Sequence, residues 1–348
     1  MTDTRTANGV DGTATGPSGA YIPVIDLGPA RSGDPAARRA VAAEIDRACR
    51  RSGFLVIDGH GVDPDLVQRL HDVTLELFLQ PDEWKERFDC EPHARGLRGF
   101  HRVPSYVSAG EDVDTAPDIC ELFTMCRLGE PGVAERAGLG DALDRYGMPN
   151  IWPDRPDGLR EVWLEYYAVM EHLAADLMRL FALGLGLEES AFDDAIDQHI
   201  TNLTANFYPA VDIDPQPDQY RKGPHSDWGT LTILYQDGTG GLEVVDRQSG
   251  GWVDVPVIPG TFVVNIGDLM ARWTNDHWNS TKHRVRIPPA ERRATPRVSI
   301  PFFHHPNYDA VIECLPSCTS DDDPPRYPPV TSGQYLDDRV RAVYTHDR

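Results

Sequence analysis

The chain has 348 residues, with 55 acidic side chains against 33 basic ones and a formal net charge of −22 when histidine is neutral. That excess rules against nucleic acid or an anionic membrane as a partner, because counterion release needs a basic face. Hydrophobic residues make up 40% of the chain and charged ones 25%, as in a globular protein, and no window reaches the roughly 18 apolar residues of a membrane helix.

Residues 1–20 are rich in Thr, Gly and Ala, lack the apolar run of a signal peptide, and read as a disordered tail. Tyr21–Leu27 alternates as an early strand, and Val41, Ile45, Ala48 and Cys49 place a helix over 35–51. Phe54–Ile57 is an apolar run closed by Asp58-Gly59, hence a strand and turn. Leu66, Leu70, Val73 and Leu77 form the stripe of a second helix. From Cys90 to Gly158 the pattern weakens and predicts long loops over a cleft. Leu159 to Leu183 is the clearest helix: Trp163, Tyr166, Tyr167, Met170, Leu173, Leu177 and Leu180 repeat at helical spacing as core, not as a cofactor box.

After Thr201 the period changes to two. Seven short runs (204–208, 229–236, 242–246, 252–255, 261–266, 283–287, 297–304) are separated by Gly, Pro, Asn and Asp, which predicts an antiparallel barrel or jelly roll. A last helix is expected from Ser332. The six cysteines, Cys49, Cys90, Cys120, Cys126, Cys314 and Cys318, are too sparse for a disulfide scaffold and read as reduced cytoplasmic thiols. Cys314 and Cys318 have no second pair at metal-binding spacing.

The residues that carry chemistry are His225-Ser226-Asp227, His283, and Arg297-Val298-Ser299. Two imidazoles and one carboxylate suit a non-haem Fe(II) site that keeps positions open for oxygen and a co-substrate. With Pro224–Gln236 read as strand entry, His225 and Asp227 fall on one face. These donor types do not exclude zinc, and His-x-Asp alone is a weak signal in a chain with 12 histidines. Arg297 and Ser299, also two apart on a strand, would form a clamp for a carboxylate if buried, or else a surface salt bridge, and Tyr208 is either a third donor to the same anion or an ordinary barrel tyrosine. A buried arginine without an anion would be costly.

The ordered set Asn206-Phe207-Tyr208-Pro209, His225-Ser226-Asp227-Trp228-Gly229-Thr230-Leu231, Gly240-Gly241-Leu242, Asn265-Ile266-Gly267-Asp268, Ser280-Thr281-x-His283-Arg284-Val285 and Arg297-x-Ser299-x-Pro301 resembles the Fe(II)/2-oxoglutarate-dependent dioxygenases related to isopenicillin N synthase. The resemblance runs over about 21–310. Residues 106–123 and 152–153 are similar to bacterial members, including the ethylene-forming type. It implies a mainly β fold with α additions: a double-stranded β-helix core at 201–310, an N-terminal α/β region at 21–130, loops and a supporting helix at 131–200, and a C-terminal tail at 311–348 near the site mouth. It further implies iron on His225, Asp227 and His283, and the distal carboxylate of 2-oxoglutarate on Arg297 and Ser299, to which the strand position of Tyr208 adds a candidate third donor.

The expected reaction is oxidation of a small organic metabolite, by hydroxylation, desaturation or cyclisation, coupled to conversion of 2-oxoglutarate and O₂ to succinate and CO₂. Substrate contacts are expected from Phe100, Tyr106, Trp228 and Phe303, in a monomer or weak homo-oligomer. The Arg-x-Ser pair also occurs in family oxidases that use no 2-oxo acid, so an oxidase of the isopenicillin N synthase type is a second reading. A non-enzymic binding barrel is a third.

Overall fold

The structure is a computed structural model that describes residues 20–89, 98–101, 116–133, 146–211, 215–216 and 218–344. The expected N-terminal tail, Cys90 and Tyr106 lie outside these residues.

The N-terminal part runs β1 (Val24–Asp26), α1 (Pro35–Arg51), β2 (Phe54–Asp58), α2 (Pro64–Phe78) and α3 (Asp82–Lys85). Both long helices begin by the same device. Pro35 and Pro64 occupy the first turn, where no backbone N–H is needed, and the preceding Asp34 and Asp63 carboxylates accept from Ala36 N and Asp65 N. β3 (Gly99–His101) and β4 (Glu121–Cys126) follow, then α4 (Leu159–Gly184) and the short α5 (Asp193–Ile196). The expectation of loops throughout 90–158 is therefore corrected by two strands. Leu122 to Cys126 are buried on both faces, so β4 shows no polar alternation to reveal it.

The barrel strands are β5 (Asn202–Tyr208), β6 (Lys222–His225), β7 (Leu231–Gln236), β8 (Leu242–Val245), β9 (Trp252–Asp254) and β10 (Phe262–Ile266). After a short helix, α6 (Asp268–Trp273), come β11 (His283–Val285) and β12 (Arg297–His304). The chain ends in β13 (Val311–Ile312), β14 (Val330–Thr331) and α7 (Ser332–Tyr344). One sheet has eight strands in the order β1-β2-β10-β7-β12-β5-β4-β3, and a facing sheet has four in the order β6-β11-β8-β9. This is the jelly-roll core, with N-terminal strands extending both edges of its larger sheet.

Strand parity divides the core into two layers. Phe54 and Val56 of β2 point between the sheets with Tyr208, Leu234, Leu242, Val244 and Val285. Leu55 and Ile57 point the other way, against Val41 and Ile45 of α1, Leu70 of α2 and Trp163 of α4. The indole N–H of Trp163 donates to Thr74 Oγ1 at 3.0 Å, locking α4 to α2. Replacing so buried a tryptophan with alanine costs about 3–5 kcal/mol. The helices thus form a rigid back for the large sheet, leaving the space between sheets for chemistry.

Candidate active site

The three metal-binding candidates meet between the sheets, and each arrives by a different device. His225 ends β6 and His283 begins β11, and the two are direct cross-strand partners, which sets their rings 4.3 Å apart. Asp227 does not share a strand with His225, contrary to the sequence reading, because β6 stops at His225. A turn over 226–230 carries it instead. Asp268 N donates to the Asp227 carbonyl at 2.8 Å, anchoring that turn to the start of α6. Gly229 permits the approach: a Cβ there would run into the His304 carbonyl.

Asp227 Oδ1 lies 3.9 Å from His225 Nε2 and 3.7 Å from His283 Nε2. The three donor atoms lie within 4.8 Å of one another. Atoms up to about 4 Å apart can both touch an ion that binds each at about 2.1 Å. The back of each group is already tied down. The other ring nitrogen, Nδ1, lies 2.8 Å from the Gly223 carbonyl in His225 and 3.2 Å from the Thr281 carbonyl in His283. Since a carbonyl only accepts, Nδ1 carries a hydrogen in both rings, which makes Nε2 the nitrogen turned to an ion. Asp227 Oδ2 accepts from Thr232 Oγ1 at 2.6 Å and Asn265 Nδ2 at 2.7 Å, leaving Oδ1 for a cation.

Electrostatics favour the same protonation states. Burial, then His283 and Lys222, pushes His225 down to about 3, so it is a neutral imidazole at pH 7. Burial pushes the Asp227 carboxyl up, but the adjacent imidazoles and the bonds from Asn265 and Thr232 outweigh it and hold the group below the usual carboxylate range.

Arg297 and Ser299 stand on β12 opposite Tyr208 and Asn206 of β5. Arg297 is 0% exposed. Its Nη1 donates to Ser299 Oγ at 3.0 Å, while Nε and Nη2 have no partner among the described residues. Its guanidinium lies 4.9 Å from the Tyr208 ring centre. Burial raises the Tyr208 phenol above its ordinary value, keeping it a donor. A fully buried cation with two orphaned nitrogens and no paired carboxylate among the described residues is costly unless an anion joins it.

One cleft contains both constellations: His225, Asp227, His283, Arg297, Ser299 and Tyr208 all line it, and so does Phe303. Two proposed substrate contacts are not brought there. Phe100 is in the helix-side core, with ring centres 5.7 Å from Phe78 and 5.0 Å from Phe123. Trp228 packs beside Tyr146 and Leu336 rather than lining the cleft. Sequence reasoning missed Phe54, Asn206, Lys222, Thr232 and Asn265 in or around the site. Asn206 could have been found, as it lies two residues before Tyr208 on the same strand face.

Comparison with known proteins decides the family. The model of the 2OG-Fe(II) oxygenase superfamily matches residues 200–306, and that of the non-haem dioxygenase in morphine synthesis N-terminal region matches 22–155. The 2-oxoglutarate-Fe(II) type oxidoreductase hxnY of Emericella nidulans is 35% identical, over 92% of this chain and 89% of its own. The chain belongs to the 2-oxoglutarate-Fe(II) oxygenase superfamily. Validamycin A dioxygenase of Streptomyces hygroscopicus subsp. limoneus is 36% identical over 84% of this oxygenase and 78% of its own length. A full-length Neurospora crassa protein, solved in complex with alpha-KG and thymine, superposes with a TM-score of 0.80 at 31% identity, covering 92% of this oxygenase and 96% of that chain. The oxygenase uses Fe(II) with 2-oxoglutarate and O₂ as co-substrates, and the donor set and orphaned guanidinium described above fit both groups.

Proposed function

We propose that in this oxygenase His225, Asp227 and His283 hold the iron, and that Arg297, Ser299 and Tyr208 receive the distal carboxylate of 2-oxoglutarate. Phe303 borders the space left for a small organic substrate. One observation carries this reading: a cluster of two imidazoles and a carboxylate shares a single cleft with a buried guanidinium that has two nitrogens unpartnered among the described residues. When bound, iron and 2-oxoglutarate supply the oxidising chemistry that couples substrate oxidation to release of succinate and CO₂.

The protein's part is positional. Gly223 and Thr281 carbonyls fix both imidazoles, Thr232 and Asn265 fix the carboxylate, and the apolar walls of Phe54, Leu234 and Val285 limit water. No side chain need serve as a general base. Relatives named for validamycin A and homoarginine, and a neighbour holding thymine, share small polar ligands but no common scaffold. They support a small organic metabolite and no particular one. Hydroxylation is the simplest outcome, with desaturation and cyclisation as variants. The five described cysteines are free and buried, which fits a reducing, cytoplasmic setting, and no described helix is long and apolar enough to cross a membrane. We read the oxygenase as a monomer or weak homo-oligomer, with 201–310 as its catalytic core.

The test is succinate formation from 2-oxoglutarate with Fe(II), O₂ and a panel of small metabolites. Succinate should appear in the parent and fall at least about a hundredfold in His225→Ala. Equal turnover in the two proteins contradicts the assignment.

A further inference from the structure

A second cavity, of ≈ 610 Å³, opens at the metal end of the barrel and shares no lining residue with the metal cleft. Its position follows from the chain. Ser280, Thr281 and Lys282 in its wall lead directly into His283, and Val245 N donates to the Lys282 carbonyl at 3.0 Å. The remaining walls come from α6, the β8–β9 turn and the C-terminal segment 326–339. Its volume falls within the roughly 300–1,000 Å³ of small-molecule pockets.

Charge sets this cavity apart. Five of its 15 lining residues are Arg or Lys, where the whole chain has 33 in 348. In a chain of net charge −22 such a concentration makes a local field that draws anions. Its two carboxylates are already committed. Asp268 accepts from Ser280 Oγ at 2.6 Å, and from Tyr335 OH and Arg339 Nη2 at 3.0 Å each. Asp276 accepts from the Tyr327 hydroxyl and pairs with Arg326 at 3.3 Å. Arg247 and Arg272, from two different walls, have no carboxylate partner among the described residues. Arg272 is held in place: its Nη2 donates to the Pro328 carbonyl at 3.0 Å, and its guanidinium lies 4.6 Å from the Tyr327 ring centre and 5.6 Å from that of Tyr335. A pre-positioned guanidinium against aromatic walls suits an oxyanion attached to a planar group.

We propose that this cavity binds a small aromatic organic anion, carboxylate or phosphate, through Arg272 and Arg247, at a site separate from the Arg297 clamp. Its occupant rests against both chain segments that deliver metal-binding side chains, since Asp268 N also holds the Asp227 carbonyl. This assignment is independent of which metal or co-substrate fills the cleft.

The test is calorimetric titration at constant ionic strength of the full chain, loaded anaerobically with Fe(II) and saturating 2-oxoglutarate so that the clamp is filled. The probes are benzoate, phenyl phosphate and neutral benzyl alcohol. At least one anion should bind saturably and the alcohol should not; tighter benzoate marks a carboxylate ligand, and tighter phenyl phosphate a phosphoryl one. Affinity should fall at least about tenfold in the Arg247→Gln/Arg272→Gln double variant, with circular dichroism equal to that of the parent guarding against loss through misfolding. Repeating the titration on unloaded Arg297→Gln should give the same binding, even if iron loading of the parent fails. No saturable binding, equal binding of benzyl alcohol, or equal affinity in parent and double variant overturns the proposal.

Discussion

At the scale of single residues, the site is an exercise in leaving selected atoms unpaired. Arg297 spends one nitrogen on Ser299 and has two without a partner among the described residues. Arg297→Gln removes a charge-assisted contact worth about 1.5–3 kcal/mol, so the KM for 2-oxoglutarate should rise roughly 10- to 100-fold. Steady-state kinetics over 2-oxoglutarate concentration checks this, and an unchanged KM would assign the clamp elsewhere. Asn265 and Thr232 act one step back, by holding Asp227 Oδ2. Asn265→Ala should weaken metal affinity about 10- to 100-fold while leaving the fold intact, as read by Co(II) titration beside circular dichroism. His225, Asp227, His283, Arg297 and Ser299 could be singled out in sequence by residue type together with the ordered motifs around them, since His-x-Asp alone is a weak signal. Thr232 and Asn265 were not, because a threonine or asparagine supporting a carboxylate looks the same in sequence as one facing water.

At the scale of elements, turns do what the strand reading credited to strands. The sequence suggested that alternation along one strand aligns His225 with Asp227. The structure ends β6 at His225 and delivers Asp227 through a turn pressed onto His304 and α6. Gly229→Ala should therefore reduce metal affinity at least about tenfold although it adds only one methyl, since the His304 carbonyl has no room to retreat within β12. Binding as tight as in the parent would show that the turn can shift freely. Asp268 does a related job for the chain end, gripping Tyr335 and Arg339 of α7. Asp268→Ala orphans these donors and should cost about 1–3 kcal/mol, with earlier proteolysis within 332–344 as the readout. The long amphipathic α4 was legible to within a residue because its stripe is unbroken. β4 was not, because burial on both faces erases the period that identifies a strand.

At the scale of the whole molecule, the fold class was legible from the switch of period at residue 201 and from the punctuation of the later strands. What could not be read was that β1 to β4 join the same large sheet, since pairing between residues as distant as Phe54 and Asn265 leaves no local trace. Burial also has a global consequence. It pushes His304 well down and His305 to about 4, against an ordinary histidine value near 6.5. Below about pH 6.5 the unfolded chain takes up protons that the folded chain refuses, so stability present above that pH is lost as pH falls towards 4. The urea midpoint should drop between pH 7 and 5, and drop less steeply in His305→Gln; identical slopes would contradict the role given to burial.

The central claim, that one cleft holds iron and 2-oxoglutarate together, is tested most directly by anaerobic absorption spectroscopy. Fe(II) and then 2-oxoglutarate are added to the parent, to His225→Ala and to Arg297→Gln. A visible metal-to-ligand charge-transfer band is expected in the parent, none in His225→Ala, and one in Arg297→Gln only at roughly 10- to 100-fold higher 2-oxoglutarate. A parent that binds Fe(II) and shows no band at any 2-oxoglutarate concentration would contradict it.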